Sequence, residues 1–183
     1  MGRFLLPFFK KKFIHVYVEE IFLTIPGKPI SKQTHRNAYK VDWKNKEVKS
    51  WNWFPQRAEA NDVSNIMRSQ YNGPLIDEGV FIIFEFYMPI PTRWSKDLKE
   101  KARNGILHHM VKPDSSNLVK FYEDCMNGVI IFDDSRVIWG PPIKLYADIP
   151  RTEILIKPFK YEDYIRFKQA LGRRIERDSE KAA

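Results

Sequence analysis

Residues 114 to 134 concentrate side chains suited to metal-assisted phosphate chemistry. Asp114, Glu123, Asp124, Asp133 and Asp134 place five carboxylates within 21 residues, with Lys120 among them. Carboxylate oxygens are hard ligands and suit a divalent cation such as Mg²⁺. Projected as an α-helix, residues 116–126 separate cleanly. Phe121, Cys125, Leu118, Tyr122, Met126 and Val119 form one apolar side, while Ser116, Asn117, Lys120, Glu123 and Asp124 crowd into an opposite arc of roughly 120°. Each feature has a plainer reading. Asp114, after Pro113, could cap the helix. Asp133-Asp134 before Ser135 could form a turn. Lys120 could pair with Glu123 or Asp124 along the helix. An acidic cluster of this density in a basic protein shifts the balance towards a metal-dependent site.

Such a site repels phosphate unless metal is bound, so affinity for an anionic polymer has to arise elsewhere. The 183 residues carry 31 Lys+Arg and 23 Asp+Glu, a net charge of +8. Residues 1–60 hold 12 of the basic residues and only 5 of the acidic ones, so nearly all the excess lies in the first third. Lys28, Lys32, Arg36, Lys40, Lys44, Lys46, Lys49 and Arg57 are interleaved with Tyr39, Trp43, Trp51, Trp53 and Phe54. Cations contact phosphates and aromatics stack on unpaired bases, so this stretch is a candidate DNA-binding surface, with Lys112 added beside the acidic cluster. Trp51 and Trp53 could instead anchor a long loop on the core. His108 and His109 are adjacent and so diverge on an extended chain, which makes them poor co-ligands.

The elements that would position these groups follow from period and punctuation. Residues 16–25 alternate as a strand ending at Pro26-Gly27. Residues 28–54 read as a long loop or irregular hairpin. A helix follows Pro55, with a stripe of Ala60, Val63, Ile66 and Met67, and stops at Asn72-Gly73-Pro74. Gly79–Met88 reads as a buried central strand, and Ser95 caps a short helix to Arg103. A helix over about 115–126 exits at Asn127-Gly128. Val129–Phe132 and Val137–Tyr146 are predicted strands, as is Glu153–Ile156, and 161–178 a charged helix or tail. The class is α+β, a small mixed β-sheet packed with helices, in a single domain over residues 1–183. One cysteine, Cys125, excludes an intrachain disulfide and Cys-rich zinc sites, and reads as a buried apolar side chain. No uncharged stretch approaches the roughly 18–20 residues of a membrane span. Residues 4–9 are apolar but precede Lys10-Lys11-Lys12, the reverse of a signal peptide. A soluble cytoplasmic protein is the expectation.

Three motifs resemble a known family. Lys112-Pro113-Asp114-Ser115-Ser116-Asn117-Leu118-Val119-Lys120, then Glu123-Asp124-Cys125-Met126-Asn127-Gly128, then Asp133-Asp134-Ser135-Arg136-Val137-Ile138 match, in order and spacing, the RusA family of Holliday-junction resolvases. Ile25-Pro26-Gly27-Lys28-Pro29-Ile30-Ser31-Lys32 resembles that family's first-strand exit. The resemblance spans roughly residues 20–158, leaving a basic, apolar extension over 1–18 and a charged tail over 161–183. It implies a RusA-like fold and a homodimeric, Mg²⁺-dependent endodeoxyribonuclease, with Mn²⁺ able to substitute, that nicks opposed strands of a four-way junction. Branched DNA is the implied partner, in a bacterial or phage-infected cell. The family's acids fall on Asp114, Ser116 and Asp134, and its lysine on Lys120, so Asp114, Lys120 and Asp134 are the catalytic candidates. Asp114 and Asp134 are the direct metal ligands, with Glu123 and Asp133 accessory.

The second acid of the family pair is Ser116 here, a neutral and weaker ligand. Glu123 lies two turns further on the same face, nearly 11 Å along the axis, and could compensate in part. The alternative is a branched-DNA-binding protein whose catalysis is weakened or lost. A nuclease acting on flaps or other branched intermediates is a third reading.

Overall fold

The computed structural model describes residues 20–33, 36–162, 164–166 and 168–169, excluding the side chains of residues 36–38, 51–53 and 139. The extension over 1–18, His35 and residues 170–183 lie outside the described residues. Among the described residues the elements run in the order β1 (Ile21–Pro26), β2 (Arg36–Asp42), β3 (Glu47–Trp53), α1 (Arg57–Gln70), β4 (Val80–Pro89), α2 (Lys96–Arg103), α3 (Ser115–Met126), β5 (Val137–Trp139), β6 (Pro142–Ala147) and β7 (Arg151–Pro158). A 3₁₀ turn, Asp134–Arg136, precedes β5.

Five strands form a mixed sheet. β7 lies between β1 and β4, antiparallel to both, and β4 pairs in parallel with β5 at its start and with β6 further on. β2 and β3 form a separate two-stranded sheet. The mixed α+β class follows directly from these pairings. The hydrophobic core lies on one sheet face. Val80, Ile82, Phe84, Phe86 and Met88 of β4, Ile154 and Ile156 of β7, and Leu23 and Ile25 of β1 meet Val63 and Met67 of α1 and Leu118, Phe121, Tyr122, Cys125 and Met126 of α3. The apolar side projected for α3 is thus its core-facing side, and Cys125 is a buried free thiol.

β4 is central, as its composition predicts, but its burial alternates instead of being continuous. Its other face carries a polar group: the Tyr87 hydroxyl donates to Glu85 at 2.7 Å, and the Arg151 guanidinium lies 3.7 Å from the Tyr87 ring centroid. The predicted helices over 115–126 and from Ser95 to Arg103 are present, and the Ser95 hydroxyl accepts the Leu98 N–H. The described residues of 161–169 are helical.

Three expectations are corrected. Val129–Phe132 is not a strand. Gly128 has a φ of 68°, and the amides of Val129, Ile130 and Ile131 all turn back onto the Met126 carbonyl. Ile131 makes isolated parallel bridges to Ile76 and Asn127, and the segment pairs no further among the described residues. The predicted Val137–Tyr146 strand is two strands, broken at Gly140-Pro141. Gly140 packs so closely on β4 that a Cβ there would collide with the Ile82 carbonyl oxygen. The last strand runs from Arg151 to Pro158, longer than Glu153–Ile156, because its pairing partners β1 and β4 extend past the apolar run. The 28–54 segment contains a regular antiparallel hairpin, with Arg36 to Asp42 in unbroken register against Trp53 to Glu47.

Candidate active site

The α3 helix presents the candidate groups because its apolar side is consumed by the core. Ser116, Asn117, Lys120 and Asp124 are exposed and Glu123 is half-buried. Asp114 stands at the N-cap position, yet its side chain makes no capping hydrogen bond, so its carboxylate remains available. Lys120 makes no ion pair with Glu123 or Asp124; Asp124 is bound instead by Lys32, Nζ to Oδ2 at 2.6 Å.

The 3₁₀ turn that bears Asp134 packs against α3. Asp133 caps that turn, accepting the Ser135 N–H at 3.0 Å, and the Ser135 hydroxyl and amide hold its carboxyl below the usual range. Asp134 is exposed and Arg136 is tied to Asp77 at 2.7 Å, which fixes the turn. Glu123 is raised above the usual carboxylate range, first by burial, then by the negative charges of Asp134 and Asp124, with Lys120 opposing. Burial is the larger cause, and a bound cation would offset the smaller one, the repulsion from the neighbouring carboxylates.

The segment before α3 is anchored by a residue that sequence reasoning missed. Lys144 Nζ donates to the carbonyls of Val111 and Pro113, each at 2.9 Å, so it grips the chain on both sides of Lys112 and immediately before Asp114. Its only sequence signal is a lone lysine in an apolar strand. Gln56 was missed as well. Its buried amide accepts the Gln33 N–H at 2.6 Å and donates to the Ser31 carbonyl at 2.9 Å, bracketing Lys32. The Lys32 N–H donates to the Asn117 carbonyl at 2.8 Å, and the Tyr122 hydroxyl oxygen accepts the Ile30 N–H. The β1 exit loop is therefore stitched along α3.

The donors are hard oxygens, the right kind for Mg²⁺. After burial, the charge of Asp134 is the next cause that raises Glu123, so the two carboxylates influence each other. Among the described residues, however, no three or more acidic, histidine or cysteine side chains are grouped as a ready metal cage. Asp114 is thus placed on the same helix but not gathered with Glu123 and Asp134 into one set. His108 is exposed and His109 buried, so the two do not form a ligand pair. Of the basic candidates, Lys28, Lys40, Lys44, Lys46, Lys49, Arg57 and Lys112 are exposed, whereas Lys32 is engaged by Asp124. The side chains of Arg36, Trp51 and Trp53 lie outside the described residues.

A small mixed sheet, backed by a helix that displays acids and a lysine towards an acidic turn, defines an α+β protein with a carboxylate-rich site and a basic hairpin. The sequence matches the family described as Endodeoxyribonuclease RusA over residues 26–157, most of the chain, and the protein belongs to that family. It is also similar to the uncharacterized protein YqaN of Bacillus subtilis (strain 168), 37% identical over 95 residues that cover 50% of this chain and 67% of YqaN. Among the described residues no helix is long and apolar enough to cross a membrane.

Proposed function

We infer that the protein is a Mg²⁺-dependent, structure-specific endodeoxyribonuclease that acts as a homodimer in the cytoplasm of a bacterial or phage-infected cell and resolves four-way DNA junctions by paired symmetric nicks. The observation that carries the reading is the half-buried Glu123 beside Asp134 and Lys120, on the helix that Asp114 begins, inside the RusA family match. Asp114 and Asp134 would hold the cation, with Glu123 and Asp133 accessory and Mn²⁺ able to substitute. When bound, the ion would polarise the scissile phosphoryl group and lower the pKa of the attacking water. Lys120, exposed and without an ion-pair partner among the described residues, would donate to the phosphate oxygens as negative charge develops. A four-way junction has two-fold symmetry, so two opposed nicks call for two copies of the site.

A specific observation also favours the second reading, a branched-DNA-binding protein with weakened catalysis. Ser116 stands exposed where the resemblance implies an aspartate, and among the described residues no third carboxylate is gathered with Glu123 and Asp134. One experiment separates the two. A synthetic four-way junction is incubated with the protein in Mg²⁺ or Mn²⁺, alongside Asp134→Asn and Glu123→Gln. Symmetric nicks that fall at least about 100-fold in Asp134→Asn support the nuclease. Tight binding without cutting in either metal supports the second reading. Near-normal cutting by Glu123→Gln removes Glu123 from the ligand set.

A further inference from the structure

We propose that the β2–β3 hairpin is a branch-reading arm, in which Lys40 and Lys49 clamp phosphate and the tip residue Trp43 stacks on an unpaired base; this rests on the branched-DNA reading above. Among the described residues β2 and β3 pair only with each other, and every residue from Trp43 to Ser50 is exposed. A lone two-stranded hairpin is marginally stable in water, so a bound partner would stabilise this one. Lys40 lies directly across from Lys49, on one face. Like charges in that position repel and disfavour the pairing. Neither lysine, nor Lys44 or Lys46, makes an ion pair among the described residues. An anion between the two strands would remove the repulsion, and a two-stranded ribbon is of a size that enters the DNA major groove.

The turn is built to present its first residue. Asp42 accepts the N–H groups of Lys44 at 3.0 Å and Asn45 at 3.3 Å, and the Asn45 side-chain amide at 3.0 Å. These bonds hold the Asp42 carboxyl below its usual range, engaged with the turn and not with the lysines. Lys46 closes the turn with a φ of 53°. Trp43 is left 85% exposed between Asp42 and Lys44. A large indole in water beside cations fits a base face, and stacking tolerates any base sequence. An intact duplex offers a base face only at its ends, whereas a branch point offers unstacked bases in its middle. Trp43 should therefore add affinity for branched DNA over duplex, while Lys40 and Lys49 add affinity for both.

The hairpin is fixed at its root. Gln56 ties Ser31 and Gln33, and Lys32 pairs with Asp124, so the base of the arm is joined to α3. Binding at the tip would accordingly be held in a set relation to the helix bearing Asp114 and Lys120.

The test uses the full chain in EDTA, so that cleavage plays no part. Binding is measured to a four-way junction carrying 2-aminopurine at the branch and to a linear duplex of the same sequence. Trp43→Ala should weaken junction binding by about 5- to 150-fold and leave duplex binding within about twofold. Wild type, and Trp43→Phe in part, should quench the branch 2-aminopurine where Trp43→Ala does not. The double variant Lys40→Ala/Lys49→Ala should weaken both DNAs and flatten the salt dependence by about two phosphate contacts. A junction preference retained in Trp43→Ala overturns the arm alone. So does a change of oligomeric state in Trp43→Ala with unaltered DNA affinity, which would make the hairpin a contact between copies. A wild type with no preference for the junction overturns the branched-DNA reading itself, and the arm with it.

Discussion

His109 shows how a side chain near the candidate site can carry a measurable cost without belonging to it. It is buried, its ring centroid lies 5.1 Å from that of Tyr146, and its Nδ1 has no hydrogen-bond partner among the described residues. Burial, then the charges of Lys144 and Lys28, hold it below the ordinary histidine value. The sign of its effect on stability follows. Below about pH 6.5 the unfolded chain takes up the proton before the folded one does, so stability falls as pH drops through that value towards the folded pKa. The thermal midpoint of the wild type should therefore decline between pH 7 and 5.5 more steeply than that of His109→Phe, which keeps an aromatic ring against Tyr146. Parallel pH profiles in differential scanning calorimetry would remove His109 as the cause. Ser116 poses a separate question at this scale. Ser116→Asp should raise Mg²⁺-dependent cutting if the site is merely weakened, and an unchanged cutting rate in a gel assay would show that the hydroxyl is not what limits it.

At the scale of elements, the strand after the acidic turn is set by a glycine. Gly140 lets the chain step from β5 to β6 against the backbone of β4, where any Cβ would meet the Ile82 carbonyl. Gly140→Ala should destabilise the fold by at least about 2 kcal/mol, because backbone cannot yield as a side-chain end can. Urea denaturation checks this, and a shift in midpoint smaller than that of an exposed alanine substitution would count against it. The β1 edge is guarded differently. The Gln70 side chain of α1 accepts the Thr24 N–H at 2.9 Å and donates to the Thr24 carbonyl at 2.8 Å, imitating a neighbouring strand. That masks backbone groups which would otherwise offer themselves to another chain.

For the molecule as a whole, Tyr122 connects the layers. Its ring is in the core beside Phe86 and Phe121, and its hydroxyl oxygen accepts both the Ile30 N–H and the Thr152 hydroxyl, the latter at 2.8 Å. One side chain of α3 thus joins the β1 exit loop to β7. Tyr122→Phe keeps the ring but leaves one buried donor, the Thr152 hydroxyl, and one part-buried donor, the Ile30 N–H, unmatched, at a cost of about 1–3 kcal/mol. If that bond also positions the loop, junction affinity should fall beyond what the stability loss explains, and binding measured well below the melting temperature tests it. Cys125 reports on the same core. Burial, with the Asp124 charge, pushes its thiol up to about 12. A maleimide at pH 8 should label it at the rate of unfolding and not at the rate of a free thiol; rapid labelling of native protein would contradict the packing.

The polar side of α3 was legible in the residues alone, because it is local. A period of 3.6 over residues 116–126 is enough to divide α3 into a core side and a polar side, whereas Asp114, Lys120 and Asp134 are singled out by the resemblance of that short stretch to the RusA motifs. The α+β class and the helix caps are local in the same sense. What escaped was contact between segments far apart in sequence. Lys144 is 31 residues from the Pro113 carbonyl it grips, and Tyr122 is 92 from Ile30. The strand expected at Val129–Phe132 became a turn because its amides close on Met126, a choice hydrophobicity does not reveal. Residue type and spacing by themselves determined which groups could do chemistry and which side of the helix would show them. Only the tertiary structure decided that Asp124 belongs to Lys32, that Glu123 feels Asp134, and that the basic segment stands out as a hairpin with Trp43 at its tip. Those outcomes depend on which chain segments lie side by side, and folding brings together residues whose separation along the chain carries no trace of their meeting.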